Sequence, residues 1–151
     1  MLYKIPVSVL VIIFTIDYDI LLLERADRKG FWQSVTGSKN TMSERLLNTA
    51  KREVREETGL ELPESSFRDW NVSREFKIFK HWRGRYSPEV THNREHVFSV
   101  MVKKTDNIRI SHREHLSFIW CSREEAIKKV FSWTNACALE ELPNYHRIQD
   151  S

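Results

Sequence analysis

From Val7 to Ile16 the chain is apolar at every position except Ser8 and Thr15, and it reads as a buried strand. Asp17-Tyr18-Asp19 forms a tight turn into a second strand, Ile20 to Glu24, and a third is expected from Trp32 to Thr36, just before Gly37. Residues polar but for Met42 follow to Ser43, which has the chemistry of a helix cap. A helix then runs to about Glu57, carrying Leu46, Ala50 and Val54 as an apolar row, with Gly59 as the residue that ends it at positive φ. Pro63, Ser65 and Ser66 mark a loop. Alternation resumes from Trp70 to Trp82, with Phe76 and Ile78 facing away from Lys77 and Phe79, and strands return at His96 to Val102 and Leu116 to Trp120. Ser122-Arg123-Glu124-Glu125 has the form of a capping box opening a helix to about Phe131, and Thr134 to Leu142 is helical until Pro143 ends it. Strands interspersed with a few helices predict an α/β sandwich with a mixed sheet.

With 151 residues and 40% hydrophobic content, the chain is expected to form a single domain spanning 1–151. The run from Val7 is about half the length of a membrane-spanning helix. It is not preceded by a charged segment and a small-residue cleavage site, so a cytoplasmic protein without a membrane partner is expected. Cys121 and Cys137 give neither a disulfide framework nor zinc spacing.

The net charge of +3 is mild but unevenly spread. Lys77, Lys80, His81, Arg83 and Arg85 fall within nine residues, a segment suited either to polyphosphate or nucleic acid or to a solvated strand edge. The acids gather instead on the helix before Gly59. Glu53, Glu56 and Glu57 lie at its carbonyl end, where the helix dipole disfavours anions. Glu53 and Glu57 are about 40° apart on the helix wheel and flank the apolar row, so neither points straight into water. A cation belongs there, and oxygen ligands in a half-open acidic site suit Mg²⁺ or Mn²⁺ bridging to substrate phosphates.

Glu44, seven intervening residues, and then Arg52-Glu53-Val54-Arg55-Glu56-Glu57-Thr58-Gly59-Leu60 resemble the signature of the Nudix hydrolases, which cleave nucleoside diphosphates linked to another moiety. The departure lies upstream, where Gly37 to Glu44 encloses six residues, one more than the family pattern. The resemblance implies a Nudix α/β/α sandwich. It continues through Tyr3-Lys4, Phe31 to Ser38, Phe76, Ile78-Phe79, Arg85-Tyr86, Asn93, Glu95, Glu114-His115-Leu116 and Ser132-Trp133, and there it is similar to the branch of the family that acts on 7,8-dihydroneopterin triphosphate in folate synthesis. That likeness implies hydrolysis to the monophosphate and pyrophosphate. It also implies Glu53, Glu57 and Glu114 as metal ligands, with Glu56 as a further ligand or the general base and Arg52 pairing with it. Glu44 reads either as an anchor for the preceding loop or as a first-turn glutamate favoured by the helix dipole.

For the substrate, the likeness implies Lys4 and Arg25 as phosphate or pterin contacts, Thr36, the segment Phe76, Lys77, Ile78 and Phe79 as a wall against the ring, and Trp133. Phe76 and Phe79 are an odd number apart, so a regular strand would turn only one toward the ring and the other inward. Two other functions compete. One is a Nudix hydrolase of nucleoside triphosphates or dinucleoside polyphosphates; the other is a noncatalytic nucleic-acid module built on His81 to Tyr86, which the acidic cluster argues against. A small-molecule triphosphate is the expected partner.

Overall fold

A computed structural model of the protein describes residues 2–146. At its centre lies β1 (Val7–Phe14), paired in parallel along its whole length with β6 (His92–Met101), from Val7 opposite Arg94 to Phe14 opposite Met101. Both faces of β1 are covered, which is why its sequence is apolar almost throughout. Val9, Val11 and Ile13 enter one core with Ala50 and Val54 of α1 (Leu46–Thr58). Leu10, Ile12 and Phe14 enter the other, with Ala126 of α2 (Arg123–Lys129) and Ala138, Leu139 and Leu142 of α3 (Trp133–Tyr145). Each such side chain removed from water stabilises the fold by about 1.5–3 kcal/mol, so the three layers hold together through this strand. The result is the expected α/β/α sandwich around a mixed, seven-stranded sheet. Among the described residues no helix is long and apolar enough to cross a membrane.

The sheet forks at β1. Its outer edge pairs with β4 (Val35–Ser38) near the start of the strand, and it meets β2 (Asp19–Arg25) only at Phe14 opposite Ile20. β2 pairs instead with β7 (His115–Ser122) and with the short β3 (Trp32–Gln33). The single strand expected from Trp32 to Thr36 is therefore two, divided at Ser34, whose N–H donates to Asn135 Oδ1 at 2.9 Å while Asn135 Nδ2 donates to Ser34 Oγ at 3.0 Å. A polar side chain from α3 thus satisfies the backbone where the ladder breaks. The clefts described below open at this fork.

Three other expectations change. Ser43 does not cap α1: the helix begins after Arg45, and Ser43 Oγ lies 3.2 Å from the Thr41 hydroxyl. Pro143 does not end α3, because the carbonyl of Leu139, four residues earlier, accepts from Arg123 Nη1 at 3.2 Å in place of the N–H that proline lacks. The expected strand to Trp82 stops with β5 (Phe67–Lys77), and Lys80–Arg85 forms a 3₁₀ turn. Of the basic segment, Lys77 ends the edge strand β5, while Lys80 to Arg85 belong to the turn beyond it. The Ser122 cap holds, accepting from the Glu125 N–H at 3.2 Å, and Gly59 ends α1 at φ +76° with its N–H on the Arg55 carbonyl.

Candidate active site

The end of α1 lies over β4, and Gly37 permits the approach. A Cβ at Gly37 would stand 1.9 Å from Glu53 Cδ, so only glycine lets this carboxyl cross the strand. One turn on, Glu57 is 1% exposed, its Oε1 3.4 Å from His115 Nε2 and its Oε2 without a hydrogen-bond partner among the described residues. A turn in which the N–H groups of Glu114 and His115 both donate to the Ser111 carbonyl brings Glu114 alongside. One ligand atom from each of Glu57, Glu114 and His115 lies within 4.8 Å of the others.

These charges do not coexist comfortably. Burial first, then the charge and hydrogen bonding of the adjacent Glu53, and then Glu114 hold the Glu57 carboxyl well above the usual range. Burial and the nearby Arg25 push His115 down to about 4, so its imidazole is neutral and keeps a lone pair for a ligand. A buried acceptor with no donor, two further carboxyls and a neutral imidazole form a donor set that fits a hard divalent cation.

Arg52 ties the surrounding acids together. Its Nη1 donates to Glu53 Oε1 at 2.7 Å and to Glu56 Oε2 at 3.3 Å, its Nη2 to the Ser38 carbonyl and Glu44 Oε1 at 3.0 Å each, and its Nε to Glu44 Oε2 at 3.1 Å. Glu44 also accepts from the Asn40 N–H and the Thr49 hydroxyl, both at 2.9 Å, and so fastens the longer loop to the helix. The Arg52 guanidinium holds the Glu44 carboxyl down to about 2. Glu56 stands apart: half-exposed, it touches the cluster through Arg52 and does not line the cleft.

The acidic cleft, about 410 Å³, adjoins a second cavity of about 230 Å³, and Lys4, Arg25, Arg85, Gln33, Thr36, Gly37 and Ser38 line both. Asp27 organises this wall: it accepts from Arg25 Nε at 2.8 Å, Arg85 Nη2 at 2.8 Å and Trp82 Nε1 at 2.8 Å, while Arg25 lies 4.1 Å from the Trp82 ring centroid. Burial, then Arg85 and Arg25, lower the pKa of Lys4. Three cations thus converge between the two chambers with one aspartate among them, an arrangement suited to several phosphate charges.

The second cavity is walled by Phe76, Ile78, Phe79, Trp82 and Phe131. Phe79 and Trp82 stack with centroids 5.4 Å apart and planes 19° from parallel. Both Phe76 and Phe79 line it, contrary to the strand argument, because β5 ends at Lys77 and the chain turns before Phe79. Lys77, exposed, and Trp133, 56% exposed, also line it, and Thr36 accepts from Gln33 Nε2 at 3.3 Å. Asp27, Phe131 and His115 are not singled out by the sequence, and Arg85 and Trp82 read there only as parts of a basic, aromatic segment suited to polyphosphate or nucleic acid. Arg85 and His115 sat in quoted stretches, but only the fold turns them inward.

A NUDIX domain model matches residues 4–142. The chain is 42% identical over 144 residues to a dihydroneopterin triphosphate diphosphatase of Haemophilus influenzae, covering 93% of this chain and 89% of that protein. It is 38% identical over 143 residues to the protein of the same description from Escherichia coli, covering 93% of each. The solved structure of the E. coli dihydroneopterin triphosphate pyrophosphohydrolase superposes with a TM-score of 0.88 at 36% identity, over 97% of this chain and all of that one. The acidic helix, its glycine and the sandwich that presents them have one source: this chain belongs to the NUDIX family.

Proposed function

We propose that the protein hydrolyses 7,8-dihydroneopterin triphosphate to the monophosphate and pyrophosphate, with Mg²⁺ or Mn²⁺ as its cofactor. The observation that carries this reading is the cationic wall of Lys4, Arg25 and Arg85, which an acidic cleft and a ring-sized aromatic cavity share. A flat ring joined to a triphosphate needs both chambers and a bridge of positive charge between them. Similarity to the two diphosphatases supports a pterin as the ring.

Glu53, Glu57 and Glu114 would hold the metal, with the neutral His115 imidazole beside them. When bound, a divalent ion neutralises phosphate oxygens and lowers the pKa of water. The chain does the rest. Lys4, Arg25 and Arg85 bind the triphosphate and orient it, Arg52 holds Glu53 at a fixed angle, and Glu44 fixes the loop above the helix. The proton released by the attacking water passes to a carboxylate of this cluster. In the other chamber Phe79 and Trp82 exclude water from the ring and set its depth.

The test is product analysis with Mg²⁺ and a panel containing dihydroneopterin triphosphate, the common nucleoside triphosphates and a dinucleoside polyphosphate. Pyrophosphate and dihydroneopterin monophosphate, formed faster than any nucleotide product and abolished by EDTA, are expected. Orthophosphate as the first product, or a nucleotide preferred over the pterin, contradicts the reading.

A further inference from the structure

The floor of the aromatic cavity carries two polar groups to which the phosphate chemistry assigns no task. Glu95 is 5% exposed and Asn93 2% exposed, and both line the cavity. They stand two residues apart on β6 and so share one face of the strand. Among the described residues, Glu95 Oε1 and Asn93 Oδ1 have no hydrogen-bond partner. The Asn93 amide is oriented by its Nδ2, which donates to Ser8 Oγ at 2.7 Å, so the oxygen is left over as an acceptor. Burial raises the Glu95 carboxyl to about 7, and Thr134 and Arg74 offset this only in part. Buried acceptors without donors are rare in a finished core and are reasonable in a binding site.

The missing partner must bring hydrogen-bond donors into a ring-shaped space. A 2-amino-4-oxopyrimidine ring, as in a pterin or guanine, presents a ring N–H and an amino N–H side by side, and one carboxylate accepts both in parallel. Adenine offers an amino group beside a ring acceptor and cannot make that pair. We propose that Glu95 determines ring specificity by accepting the paired N–H groups of the substrate's 2-amino-4-oxopyrimidine edge, with Asn93 Oδ1 as a second acceptor. This rests on the pterin reading of the cavity and adds the residue that reads the ring.

The test uses phosphate-free ligands, so turnover and metal do not enter. Binding of dihydroneopterin and of its analogue lacking the 2-amino group is measured by calorimetry on the whole protein, wild type and Glu95→Gln. In the wild type, loss of the amino group is expected to weaken binding roughly 10- to 150-fold, the range for a charged hydrogen bond. In Glu95→Gln, dihydroneopterin weakens by a similar factor and the two ligands bind within about threefold of each other, the coupling expected of groups in direct contact. Equal affinity of the wild type for both ligands, no binding of dihydroneopterin, or undiminished discrimination by Glu95→Gln would overturn the assignment. Melting curves establish that the variant folds. If it does not, Glu95→Asp, which draws the carboxylate back by one methylene, is held to the same loss of discrimination. The functional reading fails separately, in the product assay, if dihydroneopterin triphosphate is not the preferred substrate.

Discussion

The two chambers of the cleft are built in opposite ways. The acidic one takes Glu53 and Glu57 from a single helix, where a spacing of four brings side chains together wherever that helix lies. The aromatic one takes Phe76 and Phe79 from the end of β5, Trp82 from a 3₁₀ turn, Phe131 from the link between α2 and α3, and its polar floor from β6. On the proposed function, a local motif would supply the chemistry and a tertiary assembly would choose what it acts on. Variants in the first chamber should lower turnover of every substrate alike, whereas those in the second should alter preference.

The largest effect is expected at Glu57. Glu57→Gln should cost at least about 100-fold in kcat on any substrate, since partners that merely orient metal ligands already cost 10- to 100-fold. Gly37→Ala comes next: the added methyl would drive Glu53 from its place, and a displacement of about 1 Å is enough for a loss on the order of 100-fold with the fold kept. Wild-type rates in Gly37→Ala would show that Glu53 need not cross that strand. Glu114→Gln should lower kcat and weaken the response to metal, while the exposed His112→Asn two residues away changes neither. Equal, small effects at both positions would return that turn to the solvent.

A smaller effect appears in stability without metal. Glu57 has a raised pKa in the folded protein, so its contribution is full below the ordinary value of 4.5 and is lost as pH rises through the folded value. Glu95, raised to about 7, loses its contribution between 4.5 and 7 by the same logic. His115, lowered to about 4, acts oppositely: its contribution is present above 6.5 and lost as pH falls toward 4. Melting temperatures in EDTA should therefore favour Glu57→Gln over wild type more at pH 8 than below pH 4.5, and Mg²⁺ should close the gap from the wild-type side. A constant difference across that range would mean that Glu57 is not strained by its charge.

The same division explains what the sequence disclosed. The helix, its terminal Gly59, the doubly buried β1 and the Ser122 cap depend on neighbours a few residues away, and each was legible. Ser43 misled because the helix starts only after Arg45 and without a side-chain cap, and Pro143 because a distant group took over its task. Glu44 secured the loop to the helix, and Arg123 supplied the donor that let α3 continue. The fork at Ser34 depends on Asn135, and the cationic wall depends on Asp27 gathering Arg25, Arg85 and Trp82. Contacts across a hundred residues, or across fifty-five, leave no local periodicity to read.

One ratio tests the division of labour most directly: kcat/KM for dihydroneopterin triphosphate over kcat/KM for ATP, in wild type, Glu57→Gln and Phe79→Ala. Phe79 is 37% exposed, so its truncation leaves the core intact. Loss of its ring removes about 1–3 kcal/mol of burial and stacking, a roughly five- to 150-fold loss on the pterin substrate. ATP should lose much less. The account predicts a ratio that collapses in Phe79→Ala and stays at the wild-type value in Glu57→Gln, although both of its terms fall there. A ratio that shifts in Glu57→Gln, or holds in Phe79→Ala, would contradict it.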